Sequence, residues 1–434
     1  MDGRDSGFLR VEVIVPEATQ AWMVRLCERL EQLPDVELGV QISSRPTRRN
    51  SHGGLVARAI EAGDEIAFGR RADLAERPAP QPVERRMERP DIQIDLAGEA
   101  VARNVDVWQL SIGDGLTEVV SGEPVTSVVL RSSERGILAG CSVPTHPRSA
   151  TRTRSHARWT GVELVVANVK KVAAGIEPSS VPSAVMSINK PITAASATKY
   201  LGRAVKTEAL DHLYLPDWGI WYRFGKERKR SDTSELQRLA PSDGEYWADP
   251  FVVADGPAAW VYYEAFSHTT GRGRIDAVRI TAEGAAEDPV RVLDQPTHLS
   301  YPMTFRWRDE LWMAPESAAS GGTQLFRVRD LPAGLDPEGA LVDEPLLDPT
   351  LHEDDGGRWW LFGTKAAEHA HHGSDLLYLW WAPSPLGPWE PHPQNPVVTD
   401  TRKARPAGAL YRQGDRLIRP AQDCSGAYGR AIVL

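Results

Sequence analysis

Four prolines, Pro250, Pro302, Pro349 and Pro406, recur in short strand-like contexts 52, 47 and 57 residues apart. The segments are Ala248-Asp249-Pro250-Phe251, Ser300-Tyr301-Pro302-Met303, Leu347-Asp348-Pro349-Thr350 and Ala404-Arg405-Pro406-Ala407. A period of that size suits one four-stranded blade of a β-propeller. The spacing also holds inside the unit. Trp260, Trp312 and Trp359 fall ten residues after their prolines, with Arg416 in the fourth unit, and Glu264 and Glu316 fall fourteen after the first two. Proline is tolerated at a strand start because no ladder N–H is needed there. The ten-after-proline tryptophans are predicted to pack between neighbouring blades. Asp423, near the end of the fourth unit, holds a place comparable to Glu264 and Glu316.

In a propeller the innermost strands line the central axis, so equivalent residues of different blades converge. Asp249, Tyr301, Asp348 and Arg405, each directly before a repeat proline, are predicted to face one axial pocket. Glu264 and Glu316 sit one strand further on. Glycoside cleavage needs one protonated acid for the leaving oxygen and one ionised carboxylate as base or nucleophile. Crowded carboxylates have their pKa values split, which makes both roles available. Arg405 can hold a neighbouring carboxylate ionised. Trp247, beside Asp249, is a candidate sugar platform. The plainer alternative is that the Asp-Pro and Glu-Ser pairs cap strands and satisfy backbone N–H groups.

Upstream, the pattern is different. Phe8 to Val15 reads as a strand, Trp22, Leu26, Leu30 and Leu33 recur at helical spacing, and Glu37 to Ile42 alternates. This β–α–β start predicts an α/β domain with parallel strands. Residues 44–90 read as a long loop in which Arg45, Arg48, Arg49, Arg70, Arg71, Arg77, Arg85 and Arg86 sit among prolines. An arginine patch for an anionic ligand is the functional alternative there. Strands are expected over 92–96, 105–112 and 126–130, and β or mixed structure over 161–167. Helical periodicity over 195–213 predicts a linker helix, with Tyr200, Ala204, Val205 and Leu210 near one face. The expected organisation is an α/β domain over 1–190, a linker helix over 191–216 and an all-β propeller over 217–434. The chain stops at Leu434 inside a strand of the fourth unit, so the last blade is expected to be incomplete, open, or closed by a second chain or by self-association.

The formal net charge of -9 argues against a nucleic-acid partner, which needs a clustered positive face. Three cysteines at wide spacing, Cys27, Cys141 and Cys424, make neither a disulfide framework nor a zinc site. With no signal-type leader and no run long enough to span a membrane, a cytoplasmic location is expected. Two acidic and histidine-rich runs, His352 to Asp355 and Glu368 to His372, lack a register that aims ligands inward, so no metal is expected. Gly271-Arg272-Gly273 begins like a dinucleotide loop, but Asp276 replaces the third glycine and no β–α unit surrounds it. No cofactor is expected.

Several motifs carry a family resemblance. They are Tyr246-Trp247-Ala248-Asp249-Pro250-Phe251, Tyr262-Tyr263-Glu264, Gly271-Arg272-Gly273-Arg274-Ile275, His298-Leu299-Ser300-Tyr301-Pro302, Ala314-Pro315-Glu316-Ser317, Leu386-Gly387-Pro388-Trp389 and Arg419-Pro420-Ala421-Gln422-Asp423-Cys424. From about Trp218 onward the chain resembles the glucosamine inositolphosphorylceramide transferase N-terminal domain family and its bacterial members. That domain in turn is similar to five-bladed glycoside hydrolases of the arabinanase and invertase type. The resemblance implies Asp249 as base or nucleophile, Glu316 as acid and Asp348 in a supporting catalytic role. Trp247, Glu264, His298, Tyr301, Arg405 and Asp423 would bind substrate. The N-terminal half is similar, more weakly, to a folate-dependent formyltransferase domain. Gln109 and Ser111 stand where that family's catalytic Asn and His are expected, which suggests a degenerate domain used for binding or assembly.

Together these readings predict a carbohydrate-active propeller enzyme that hydrolyses or transfers a glycosyl group of a small molecule or glycan. A non-catalytic sugar-binding or assembly module is the alternative. Formyl or acyl transfer by the N-terminal half is the second alternative.

Overall fold

A computed structural model describes residues 7–43, 54–69, 79–98, 105–178, 191–213, 218–223, 236–365 and 373–434. The N-terminal region is built on β1 (Leu9–Pro16), α1 (Ala21–Glu31), β2 (Val36–Ser43), α2 (Leu55–Asp64), β3 (Ile92–Asp95) and β4 (Asp106–Ile112). It continues through α3 (Leu116–Ser121), β5 (Val125–Ser132), β6 (Gly136–Pro144), α4 (Ala150–Ala173) and α5 (Ala194–Leu213). Its six-stranded sheet runs β2-β1-β3-β4-β5-β6. The first four strands pair in parallel and the last two antiparallel. The α/β expectation therefore describes this sheet. Trp22, Leu26 and Leu30 of α1 are buried on it, as their spacing predicted.

Three local expectations are corrected. Residues 161–167 belong to α4, not to a strand. Val162, Leu164, Val165 and Val166 are all buried in it, so the β-branched run reflects a helix enclosed on nearly every side rather than a pleat. Within 44–90 the chain forms α2, followed by a π-helical turn over Glu65–Gly69. Of the arginines in that stretch, Arg85 pairs with Glu31 and Arg86 with Glu84, while Arg45, Arg48, Arg49, Arg70, Arg71 and Arg77 lie outside the described residues. Finally, α5 is no bare linker. The Tyr200 hydroxyl donates to the Arg148 carbonyl, and Arg203 donates to the carbonyls of Val119 and Val120. Val205, expected on the packed face, is exposed.

Beyond a small hairpin of β7 (Trp221–Tyr222) and β8 (Gln237–Arg238), the chain forms successive antiparallel meanders. The first is β9 (Glu245–Asp255), β10 (Ala258–Ser267), β11 (Arg272–Ile280) and β12 (Val290–Leu293). The second is β13 (Ser300–Trp307), β14 (Glu310–Glu316), β15 (Gln324–Asp330) and β16 (Gly334–Ala340). The third is β17 (Leu347–Glu353), β18 (Trp359–Thr364), β19 (Leu376–Ala382) and β20 (Glu390–Pro391), with β21 (Val398–Thr399) on β19. Each sheet is one propeller-like blade. The fourth repeat is not a four-stranded sheet. It comprises two hairpins, β22 (Tyr411–Gln413) with β23 (Arg416–Ile418) and β24 (Ala421–Asp423) with β25 (Ala431–Val433). Gly429 packs against the Trp218 ring, which brings the two ends of this region together.

The repeat prolines mark β-bulges. In the first blade Phe251 pairs with Tyr262 but Ala248 with Glu264, so Asp249 and Pro250 together face one residue. The same slip occurs between Ser300 and Met303 and between Leu347 and Thr350. Proline suits a bulge because it has no N–H to leave unpaired. The preceding residue is left-handed in all three blades, with φ of 52° at Asp249, 44° at Tyr301 and 50° at Asp348. Such a backbone costs about 1–3 kcal/mol in a non-glycine residue and gathers at functional sites. Arg405 lacks this kink, and Pro406 makes only an isolated bridge to Ala421.

Side chains between the blades form the cores. Trp312 and Trp359 lie in the cluster joining the second and third blades, and Trp260 packs on the one joining the first and second. The third blade is also welded to the α/β sheet. Leu376 sits in the core of the N-terminal region. Thr401 N donates to the Ser142 carbonyl at 2.9 Å and Thr399 Oγ1 to the Gly140 carbonyl at 2.6 Å.

At the centre of this junction, buried Asp375 Oδ2 meets His156 Nε2 and Thr160 Oγ1, each at 2.8 Å. Burial alone would push the Asp375 carboxyl up. The His156 charge, with hydrogen bonds from His156, Thr160 and Ser374, brings it below the ordinary carboxylate range. A depressed folded-state value contributes stability above the unfolded carboxylate's range that is lost as pH falls through it. Asp375→Ala leaves His156 buried without its partner and is expected to destabilise the protein by about 3–5 kcal/mol. Urea unfolding of the variant measures this, and a change below about 1 kcal/mol would contradict the structural role.

Candidate active site

The bulges bring acidic residues from three blades around one guanidinium. Arg405 donates from Nε to Asp348 Oδ2 at 2.6 Å and from Nη2 to Asp348 Oδ1 at 3.2 Å, and Nη2 lies 3.5 Å from Glu316 Oε2. All three residues are buried. Gln422 Nε2 adds a hydrogen bond to Asp348 Oδ2 at 2.8 Å. The kinked backbones also serve as donors. Asp348 N donates to Glu316 Oε2 at 2.9 Å, and Tyr301 N donates to the Asp249 carboxylate. In each case the left-handed residue of one blade holds a carboxylate of the blade before it.

The acids raise one another. Burial and the charge of Asp348 push Asp249 up to about 7, against the opposing pull of Arg405 and the Tyr301 N–H. Burial and Asp348 push Glu316 up to about 8, again against Arg405. Glu264 is raised by burial first and then by the charges of Asp249, Glu316 and Asp348. Its Oε1 makes no hydrogen bond and lies 3.6 Å from His298 Nε2. His298 Nδ1 accepts from Gly273 N at 2.9 Å, so in the neutral ring Nε2 carries the proton and faces Glu264. Burial and Arg405 hold His298 below its ordinary value and favour that neutral ring. Gly273 has a packing reason: a Cβ there would lie 2.5 Å from both Glu264 Oε1 and the Leu299 carbonyl oxygen.

Asp249, Glu264, His298, Tyr301, Glu316, Asp348 and Arg405 are thus brought together. Tyr301 is buried, with its hydroxyl 2.8 Å from Thr350 Oγ1 and accepting from Gly408 N at 2.7 Å, so it braces the site. Two expected residues are not assembled with them. Trp247 is buried against Tyr263, Ile220 and Leu239, where it is core rather than an open platform. Asp423 turns away: its Oδ1 accepts from Ser425 N at 2.9 Å, and its neighbour Gln422 reaches Asp348 instead. Strand alternation permits only one of these two neighbours to face the axis, and that choice is made by tertiary packing.

The sequence reading also missed Tyr428, whose ring lies 5.1 Å from the Arg405 guanidinium, and Arg274, which bridges Glu245 and Asp276 beside the site. Half-buried Tyr246 and Phe266 stack at 4.7 Å near Glu264 and Asp249. Elsewhere, Asp354 accepts from Gly356 N, Arg358 N and Trp360 Nε1 and so organises a turn. The run Glu368 to His372 lies outside the described residues. Among the described residues no group of three His, Cys, Asp or Glu side chains is placed to hold a metal, and no helix is long and apolar enough to cross a membrane. Gln109 and Ser111 are exposed along β4.

Fold and site together describe blade-like antiparallel sheets, docked on an α/β sheet, that gather a cluster of carboxylates around one arginine. Residues 233–434 match the family described as glucosamine inositolphosphorylceramide transferase 1, N-terminal. This stretch is similar to glucosamine inositolphosphorylceramide transferase 1 of Oryza sativa subsp. japonica, 36% identical over 206 residues, covering 46% of this chain and 28% of the relative. The Arabidopsis thaliana protein of the same name is 33% identical over 192 residues, covering 43% and 25%. The matched stretch thus spans between 25% and 28% of the length of these relatives. Solved structures with partial likeness include Zg3597, a family 117 glycoside hydrolase of Zobellia galactanivorans, at TM-score 0.35 and 13% identity over 47% of this chain and 68% of that one. An alpha-L-arabinanase of Cellvibrio cellulosa gives 0.33 and 13% over 43% and 72%. At these scores the likeness adds nothing to what the sheet topology itself says.

The raised carboxyls have a thermodynamic consequence. A carboxyl whose folded value lies above its unfolded one binds more protons in the native state, so its contribution is present at low pH and is lost as pH rises through the folded value. Between pH 5.5 and 8.5 the thermal midpoint of the wild-type protein is expected to fall through ionisation of Asp249 and Glu316, at about 7 and about 8. Asp249→Asn and Glu316→Gln should each flatten that fall. Calorimetric scans across this range that show equal slopes for all three proteins would refute the assignment.

Proposed function

We propose that this protein is a carbohydrate-active enzyme that hydrolyses or transfers a glycosyl group. The observation that carries the reading is the pair of carboxyls poised near neutrality, Asp249 and Glu316, around a third, Asp348, that is bound to Arg405. Glu316, pushed up to about 8, is protonated at neutral pH and suits a general acid for the leaving oxygen. Asp249, at about 7 and only half-buried, is ionised in a large fraction of molecules and suits a base or nucleophile that substrate can reach. Asp348 orients Arg405, whose charge restrains both values. Glu264 and His298 would bind sugar hydroxyls. The similarity of residues 233–434 to proteins named as glucosamine inositolphosphorylceramide transferases supports a sugar substrate.

A sugar-binding module without turnover is the second reading. It is favoured by the closure of the Arg405, Asp348 and Gln422 network, which satisfies itself without any ligand.

A screen of aryl glycosides and nucleotide sugars separates the two. Asp249→Asn and Glu316→Gln are expected to lower kcat by about 10²–10⁴-fold while sparing ligand binding. The wild-type kcat/KM should be bell-shaped, with its limbs at about 7 and about 8. Absence of any glycosyl turnover, or unchanged turnover in both variants, would leave the binding module.

A further inference from the structure

We propose that the cavity between the two halves of the chain binds the phosphate end of a phosphorylated sugar; this rests on the carbohydrate reading above and names its substrate class. The cavity, about 260 Å³ in volume, lies between the segment that joins β6 to α4 and the C-terminal segment after β24. Its wall includes His146, Arg148 and Ser149 from the first, Arg152 from the first turn of α4, and Cys424 and Tyr428 from the second. Three basic side chains line it and no carboxylate does. Arg148 is paired with Glu208, which lies outside the lining. The volume falls just short of a drug-sized pocket and suits a small anion with part of its sugar.

The position explains the charge. Tyr428 is shared: its side chain lines the cavity, and its ring lies 5.1 Å from the guanidinium of Arg405, which holds Asp348 and Glu316. Gln422, at the start of the same segment, reaches Asp348 directly. The stretch from Gln422 to Tyr428 therefore touches both the basic cavity and the cluster around Arg405. The acid cluster offers a phosphate no spare cation, because Arg405 is already bound by Asp348 and contacts Glu316. A neutral sugar has no use for a basic wall. A phosphorylated sugar needs both, with its anionic end against His146 and Arg152 and its glycosyl carbon toward the carboxyls. The α/β half then supplies one wall of the site.

Calorimetric titration of the full chain with inorganic pyrophosphate and with glucose 1-phosphate tests this. Saturable binding of both is expected, weakened about tenfold in Arg152→Ala and in His146→Ala. Far-ultraviolet dichroism confirms that each variant is folded. Tyr428→Ala, at an exposed side chain, provides a further variant and should weaken glucose 1-phosphate more than pyrophosphate. Pyrophosphate binding should persist in Asp249→Asn, and pyrophosphate binding by a wild type that turns over no glycoside would remove the catalytic reading and keep this one. Displacement of pyrophosphate by a uridine diphosphate sugar would assign the phosphate to a soluble donor, and displacement by phosphatidylinositol vesicles would assign it to a lipid headgroup. No saturable binding by the wild type, unchanged binding in both the Arg152→Ala and His146→Ala variants, or displacement by neither competitor overturns the proposal.

Discussion

A guanidinium buried in protein must be paired, and the pairing of Arg405 organises everything around it. Taking such a charge out of water costs several kcal/mol, which only well-placed anions offset. Asp348 supplies both its oxygens and Glu316 a third, longer contact. These partners come from different blades, so the pairing ties the fourth repeat to the second and third. It also sets the chemistry. With one cation among four acids, the carboxyls cannot all ionise together at neutral pH, and proton-holding groups remain at Glu316 and Asp249.

The bulges make that pairing possible. A regular strand would hold Asp249, Tyr301 and Asp348 in extended backbone rather than at positive φ. The left-handed kink before each proline frees the N–H of Tyr301 and of Asp348 to hold a carboxylate of the preceding blade. Local backbone strain is thereby exchanged for charge-assisted hydrogen bonds. The cores between the blades, with Trp312 and Trp359 buried in one of them, keep the three kinks in register.

The two halves of the chain are not independent bodies joined by a helix. Leu376 belongs to the α/β core, Asp375 reaches His156 within α4, and α5 folds back onto the sheet region. This arrangement sets residues 144–152 beside the C-terminal segment at Tyr428, and the α/β half thereby supplies one wall of the cavity that Tyr428 also lines.

Much of this was legible in the sequence. The proline period located the blades, and the residues before the prolines and fourteen after them include Asp249, Glu264, Tyr301, Glu316, Asp348 and Arg405. Those positions are local in register, and the twofold periodicity of a strand together with the bulge makes them readable. What failed was long-range. Trp247 reads like an exposed platform but is swallowed by the core under β7 and β8, because what covers a strand face lies elsewhere in the chain. Asp423 and Gln422 are neighbours on one strand, and packing rather than composition chose Gln422 for Asp348. The β-branched run over 161–167 reads as a strand because periodicity alone cannot separate a fully enclosed helix from a pleat. The sequence by itself determined the repeating units and the chemistry each contributes. Only the tertiary structure decided which of those groups share one low-dielectric pocket, because proton affinities there depend on distances of a few ångströms between residues up to 156 positions apart, Asp249 and Arg405.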